Sequence, residues 1–312
     1  MTMSTPLTGV VPPVCTPLTP DREVDVPSLL SLVDHLMAGG VHGLFVLGSS
    51  SEAAYLTDRQ RRLVVETVVT HVGGRLPVLA GAIDMTTPRV LDHVAAVIGA
   101  GADGVVVTAP FYTSTHPAEI ARHYRLIAER SPVPVVAYDL PVSVHTKLDP
   151  DLVLDLAAEG VLAGLKDSSG DQAAFRAVVT GARARHDITG FSVLTGSELV
   201  VDSALAMGAD GAVPGLANVD PAGYVRLYDL CRAGDWDRAR AEQERLFALF
   251  GMVGVGAGGG RMGGSSSALG AFKAALQLRG VIACAATAEP QVALSEGEVE
   301  GVGKFLASAG LL

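Results

Sequence analysis

Residues 161–170 read VLAGLKDSSG, an apolar run that ends on a lysine and passes directly into small polar residues. The run does not alternate between apolar and polar positions, which is typical of a strand covered on both faces in a parallel sheet. Seven other runs have the same character. The eight predicted strands cover residues 9–14, 43–47, 77–80, 104–108, 134–138, 162–166, 191–195 and 210–214.

Segments of helical period lie between these runs. The predicted helices cover residues 27–38, 58–72, 88–100, 117–130, 150–158, 171–184, 198–207 and 221–232. Proline opens five of them, which suits the first helical turn, and Thr57 with Gln60 forms a capping-box pattern. Eight strands that are each followed by a helix predict an α/β fold, the (β/α)8 TIM barrel. A doubly wound open sheet is the structural alternative, but it usually has fewer strands.

The alternation stops near residue 234. Helices are predicted at 236–250, 268–280 and 296–309, with no strand between them, and residues 251–264 are predicted to be a glycine-rich linker or mobile loop. The sequence therefore predicts a barrel domain over residues 1–233 and a C-terminal helical region over residues 234–312.

Composition limits the functions that fit the chain. Its 312 residues carry 23 basic and 33 acidic side chains, a formal net charge of −10. This balance argues against a general nucleic-acid or anionic-membrane surface, and no stretch reaches the ~20 apolar residues of a membrane span. No basic residue precedes Arg22, so no signal peptide is predicted, and three distant cysteines make no disulfide framework. We expect a cytoplasmic protein.

Two residues at predicted strand ends are candidates for catalysis, because active groups of such barrels project from the carboxyl ends of the strands. Lys166 ends the sixth strand, and burial turns a lysine amine into a nucleophile towards a carbonyl. The structural alternative is a lysine that reaches solvent or pairs with Asp167. Tyr138 ends the fifth strand, either as a proton shuttle or as a half-buried tyrosine with one hydrogen bond.

Other candidates lie in loops that follow strands. Residues 48–52, GSSSE, offer backbone N–H groups and hydroxyls to a carboxylate, or form an ordinary polar loop. Tyr112 is either a second phenol at the mouth or an anchor of its loop. His145 and Lys147 follow the fifth strand and either lie near the mouth or, as we rather expect, belong to a solvated loop.

Two further signals carry little weight. Residues 254–259 match G-x-G-x-x-G but follow a helix, which disfavours a dinucleotide site. The eight histidines form no metal-ligand spacing, so neither a metal nor another cofactor is predicted.

Taken together, these segments resemble the dihydrodipicolinate synthase / N-acetylneuraminate lyase family of class I, pyruvate-handling aldolases. The resemblance spans nearly the whole chain in order. It is carried by GVVPPVCTPL at 9–18, GSSSE at 48–52, PFY at 110–112, YDLP at 138–141, GLKDSS at 164–169, GSE at 196–198, GAV at 211–213 and FKAAL at 272–276.

The resemblance implies a role for each candidate. Lys166 would form a Schiff base with the keto carbon of pyruvate or another 2-oxo acid, and Tyr138 would be the general acid and base. Gly48, Ser49 and Ser50 would hold the carboxylate, with Ser50 also linking Tyr138 to Tyr112. Val213 would line the pyruvate pocket. The resemblance also implies that Tyr112 reaches the site of a neighbouring subunit in a homo-oligomer, a tetramer built as a dimer of dimers.

Two departures from the family pattern guide the choice of substrate. Ser51 stands where the family usually has glycine, and Ser143 stands where lysine-pathway synthases have an arginine for the carboxylate of the aldehyde. We therefore expect a lyase that reversibly cleaves a 2-keto-3-deoxy sugar acid, or a related hydroxy-oxo acid, to pyruvate and an aldehyde. The alternatives are dihydrodipicolinate synthase, a dehydratase of the same family and a non-enzymatic 2-oxo-acid-binding paralogue.

Overall fold

The computed structural model describes residues 7–312 and confirms the barrel. Over that range, eight parallel strands follow one another round a ring in the order β1-β8-β7-β6-β5-β4-β3-β2. The strands are β1 Gly9–Val10, β2 Leu44–Val46, β3 Val78–Gly81, β4 Gly104–Thr108, β5 Val135–Asp139, β6 Gly164–Asp167, β7 Ser192–Thr195 and β8 Gly211–Ala212.

Helices surround the ring. They are α1 Val26–Ala38, α2 Asp58–Val72, α3 Thr87–Gly99, α4 Pro117–Arg130, α5 Pro141–Val144, α6 Pro150–Ala158, α7 Gln172–Ala184, α8 Val201–Met207, α9 Pro221–Ala233, α10 Trp236–Phe250, α11 Gly264–Leu278 and α12 Glu296–Ser308. The capping box predicted at the start of α2 is present. The short helix α5 has no counterpart in the prediction, because four residues carry no helical period.

The first strand is shorter than predicted because of two prolines. Pro12 and Pro13 have no N–H group, so the regular ladder stops after Val10. The chain nevertheless continues beside β2, where Phe45 N donates to Pro12 O at 2.9 Å and Val14 N donates to Phe45 O at 2.8 Å. These bonds join the first strand to the second and close the ring.

Apolar side chains fill two layers. The barrel interior is packed by Leu7, Val11, Phe45, Leu79, Val106, Val136, Tyr138, Leu194 and Val213. A larger core lies between the strands and the helices. Because successive side chains of a strand point to opposite faces, each strand supplies both layers, which is why the predicted strands are apolar throughout.

The glycine-rich segment 251–264 is not a linker, so that part of the prediction is wrong, whereas its mobility stays a prediction. It contains the 3-10 helices Gly251–Gly254 and Ala257–Gly259, and Met252 is fully buried. Ser267 of α11 accepts from Gly256 N at 3.0 Å and donates to Val253 O at 2.6 Å, so the segment folds against that helix.

The division of the chain into two domains at residue 233 stays a prediction. Over residues 7–312, no helix is long and apolar enough to span a membrane.

Candidate active site

Lys166 and Tyr138 lie side by side inside the mouth of the barrel. They are register partners on β6 and β5 and are 4 % and 3 % exposed. Lys166 Nζ lies 4.0 Å from the centroid of the Tyr138 ring and 4.9 Å from the centroid of the Phe45 ring. An ammonium over two aromatic faces is stabilised by their quadrupoles. The alternative pairing of Lys166 with Asp167 is not present, because Asp167 occupies the opposite face of β6.

The phenol of Tyr138 has a polar environment within this apolar layer. Its hydroxyl lies 3.4 Å from Ser49 Oγ. Burial raises the pKa of Tyr138, but the charge of Lys166 and the hydroxyls of Ser49 and Ser168 outweigh it, so the net pKa is lowered. A phenol that loses its proton more readily than usual, beside a lysine, suits a group that takes and returns protons.

The loop at residues 48–51 is held in place by hydrogen bonds to the segment that follows the first strand. Ser51 Oγ donates to Val14 O at 2.5 Å and accepts from Gly48 N at 3.2 Å, while Thr16 Oγ1 donates to Ser51 O at 2.8 Å. The serine that replaces the family glycine thus ties the loop to the first strand. Gly48 itself needs to be glycine, because a Cβ there would lie 2.6 Å from the Phe45 ring.

A buried ion pair continues this support. Glu52 follows the loop with a φ of 58° and pairs with Lys273 of α11, and both side chains are fully buried. Glu52 Oε1 also accepts from Ala288 N at 2.6 Å, and Lys273 Nζ donates to Ala286 O at 2.7 Å. The loop is therefore attached to the C-terminal helical region as well as to the barrel.

Four residues meet on the other side of the mouth. Glu198 Oε1 accepts from Gly215 N at 2.9 Å. A Cβ at position 215 would lie 2.9 Å from that oxygen, 3.1 Å from Ser50 Oγ and 3.1 Å from the Phe272 ring. Burial raises the pKa of Glu198, although Gly215 N and Lys166 act to lower it. The predicted helix 198–207 begins only at Val201, so Glu198 lies in the preceding turn and faces the site.

The sequence-predicted residues are not all brought together. Within one chain, Ser49 Oγ approaches the Tyr138 phenol and Ser50 Oγ faces Gly215, and the link from Tyr138 through Ser50 to Tyr112 stays a prediction. Tyr112 is 87 % exposed and has a φ of 81°, so within one chain it does not join the cluster. Val213 packs inside the barrel, and its place in a pyruvate pocket stays a prediction.

Three residues singled out by the sequence lie in the segment that follows β5. Ser143 lies exposed on α5. Lys147 does not lie free in a solvated loop as expected, because it pairs with Asp139 and lies 3.6 Å from Asp167 Oδ2. His145 is exposed and ends α5.

The sequence analysis missed the roles of Phe45, Glu198, Ser168 and Lys147. Glu198 was visible within the GSE landmark. Ser168 was likewise part of the GLKDSS segment, whereas Phe45 and Lys147 carried no signal for their contacts, because their neighbours come from other strands. Across residues 7–312, the His, Cys, Asp and Glu side chains form no group of three placed to hold a metal ion.

Comparison with known proteins supports one family. The model of the dihydrodipicolinate synthetase family matches residues 6–309. A 4-hydroxy-tetrahydrodipicolinate synthase of Methanospirillum hungatei is 31 % identical over 244 residues, which cover 78 % of this chain and 82 % of the relative. YagE of Escherichia coli, named a putative 2-dehydro-3-deoxy-D-gluconate aldolase, is 32 % identical over 250 residues, covering 80 % and 82 %.

Solved structures agree with this result. A crystal structure of YagE in complex with pyruvate has a TM-score of 0.90 at 28 % identity and covers 98 % of this chain and all of the other. A dihydrodipicolinate synthase from Bacteroides thetaiotaomicron has a TM-score of 0.90 at 32 % identity, with coverages of 98 % and 99 %.

A parallel barrel with a lysine and a tyrosine paired at neighbouring strand ends defines a lysine-dependent lyase of the class I aldolase type. The chain belongs to the dihydrodipicolinate synthetase family. Both the expected fold and the expected enzyme class are confirmed.

Proposed function

We propose that the chain reversibly cleaves a 2-keto-3-deoxy sugar acid, or a related hydroxy-oxo acid, to pyruvate and an aldehyde. The observation that carries this proposal is the pairing of Lys166 with Tyr138 across β6 and β5. The amine of Lys166 attacks the keto carbon, water leaves, and an iminium forms. Ser49, Ser50 and the N–H groups of their loop bind the carboxylate of the substrate.

Cleavage then needs one proton to move. The C4 hydroxyl loses its proton to the Tyr138 phenolate, the C3–C4 bond breaks, and its electron pair passes into the iminium to give an enamine and the aldehyde. Tyr138 returns the proton to C3, and water releases pyruvate from Lys166. The lowered pKa of Tyr138 supports both halves of this transfer.

The distal half of the mouth favours hydroxyl groups over a second carboxylate. Ser143 is polar and uncharged, and Lys147 supplies no cation to the mouth, because it pairs with Asp139 and lies near Asp167 on the helix side of the sheet. The carboxyl of Glu198 supplies no positive charge for an anionic aldehyde, and its oxygens accept hydrogen bonds from hydroxyl groups. The relationship to YagE supports the same substrate class. The leading alternative is 4-hydroxy-tetrahydrodipicolinate synthase, the name carried by the Methanospirillum relative.

Two measurements test the proposal in sequence. Borohydride reduction in the presence of pyruvate should leave an adduct on Lys166 that is absent from Lys166→Ala. A panel of 2-keto-3-deoxy sugar acids should then release pyruvate, detected as it forms. Turnover of pyruvate with aspartate semialdehyde alone would establish the synthase instead. If no adduct forms with any 2-oxo acid, the binding paralogue becomes the leading alternative, and thermal stabilisation by pyruvate without turnover would support it.

The shared site is also part of the proposal, with pyruvate and an aldehyde as the small-molecule partners. Tyr112 is a largely exposed aromatic in a strained backbone conformation, which suits a side chain that completes a neighbouring subunit's site in a homo-oligomer. Tyr112→Phe and Lys166→Ala chains, inactive alone, should recover activity when mixed and reassembled. No recovery in hybrids of verified composition would rule out sharing. Cytoplasmic location stays a prediction.

A further inference from the structure

The two strands that carry the catalytic pair also carry two acidic residues. Asp139 follows Tyr138 on β5, Asp167 follows Lys166 on β6, and the two aspartates are register partners. Because side chains alternate along a strand, the aspartates face away from the barrel interior, towards the helices. Both are buried, at 0 % and 5 % exposure.

Adjacent buried carboxylates repel each other unless a cation lies between them. Burial raises the pKa of Asp139, and the charge of Asp167 raises it further, whereas Lys147 lowers it. Lys147 pairs with Asp139 Oδ2 and lies 3.6 Å from Asp167 Oδ2. Within residues 7–312, no group donates a hydrogen bond to that oxygen of Asp167, so the charge of Lys147 is its compensation.

Hydrogen bonds connect Lys147 and the two aspartates to the strand ends that carry Tyr138 and Lys166. Leu148 N donates to Asp139 Oδ1 at 3.2 Å, and Lys147 Nζ donates to Leu148 O at 3.2 Å. Ser168 N, next to Asp167, donates to Asp139 O at 2.9 Å. The ends of β5 and β6 are therefore joined by a backbone hydrogen bond within the sheet and by Lys147 on its helix side, behind the catalytic pair.

We propose that Lys147 is a positioning residue, which neutralises Asp139 and Asp167 and thereby keeps the Tyr138 phenol in register with the Lys166 amine. This inference rests on the proposed function. Lys147 does not touch the substrate. Without it, the two carboxylates separate or take up a proton, and the strand ends shift. A displacement of about 1 Å at a reacting group can cost about 100-fold in rate.

Exchange of the methyl hydrogens of pyruvate in D2O tests the inference without any aldehyde. The exchange requires both the Lys166 imine and proton removal by Tyr138, and NMR follows it. Four variants of the full chain are compared: Lys147→Met, Asp139→Asn, the double variant D139N/K147M, and Lys304→Met as a control at an exposed lysine on α12.

We expect the exchange kcat of K147M to fall by about tenfold or more, with the pyruvate KM within about threefold of wild type and the borohydride adduct still formed. Compared with K147M, the double variant also lacks the carboxylate of Asp139, so its exchange rate should lie between those of K147M and D139N. A purely structural role would lower thermal stability and leave the kcat of the folded protein unchanged.

Each outcome is decisive. A folded K147M that exchanges pyruvate as fast as K304M would overturn the inference and leave the proposed function intact. If K147M does not fold, the double variant replaces it, and a kcat equal to that of D139N would overturn the inference. A wild-type chain that forms no adduct and exchanges no hydrogens would overturn both proposals.

Discussion

Replacing Lys273 by methionine should destabilise the protein strongly, because it isolates a buried charge. Glu52 and Lys273 have no exposed side-chain surface. After the substitution, Glu52 keeps one donor, Ala288 N, and Ala286 O loses the ammonium that donates to it. Methionine fills much of the space of lysine, so the loss is mainly electrostatic.

The size of the effect follows from this geometry. Removing one partner of a buried ion pair typically costs about 3–5 kcal/mol, whereas replacing both by neutral groups is often nearly neutral. We therefore expect K273M to lose about 3–5 kcal/mol of unfolding free energy, a large part of a typical total of about 5–15 kcal/mol. The double variant Glu52→Gln/Lys273→Met should recover about 2 kcal/mol or more of that loss.

Urea unfolding followed by circular dichroism measures these differences. Lys304→Met is the matched control and should stay within about 0.5 kcal/mol of wild type, as is usual for surface substitutions. The reasoning fails if K273M loses less than about 1 kcal/mol, or if the double variant is no more stable than K273M. Because Glu52 follows the loop whose serines we propose to bind the carboxylate, the same variant should also bind pyruvate more weakly.

Three other predictions concern single side chains. Tyr138→Phe should still give the borohydride adduct on Lys166 but should slow pyruvate hydrogen exchange by about 100-fold or more, and an unchanged exchange rate would remove Tyr138 from proton transfer. Burial lowers the pKa of His123 from 6.5 to about 4. As the pH falls, the imidazole is therefore protonated in the unfolded chain before it is protonated in the folded one, and the free energy of unfolding decreases between pH 6.5 and about pH 4. Urea unfolding at pH 7 and at pH 5 measures this loss. The fall in unfolding free energy between the two pH values should be about 1–2 kcal/mol smaller in His123→Gln than in wild type, and an equal fall in both proteins would contradict the lowered pKa of His123. Gly215→Ser should push Glu198 aside and crowd Ser50 Oγ, so the KM of a hydroxylated substrate should rise by about tenfold and the KM of pyruvate in hydrogen exchange should rise as well; unchanged values of both would contradict this arrangement.

The features that the sequence predicts well depend on local pattern. All eight strands and the main helices come from apolar runs, caps and prolines, each of which acts within a few residues. The positions of Lys166 and Tyr138 also follow from local pattern, because a polar residue that ends a buried strand must lie at the carboxyl edge of the barrel. Their pairing then follows from strand order alone.

The features that the sequence does not predict depend on distant contacts. Glu52 meets Ala288, 236 positions further along the chain, and no period or motif marks that contact. The glycine-rich segment 251–264 resembles a linker by composition, but its glycines allow close packing: a Cβ at Gly251 would lie 2.8 Å from the Phe305 ring, and one at Gly256 would lie 2.7 Å from Met262 Sδ.

The contrast between Lys166 and Asp167 shows why adjacency in sequence misleads at a strand end. A lysine beside an aspartate suggests an ion pair between the two side chains. The pleat instead directs them to opposite faces, so that Lys166 lies over Tyr138 and Phe45 while Asp167 faces Lys147. The same alternation separates Tyr138 from Asp139. The sheet thus keeps both carboxylates away from the nucleophile by geometry alone, and Lys147 becomes necessary on the other face because those carboxylates must still be neutralised.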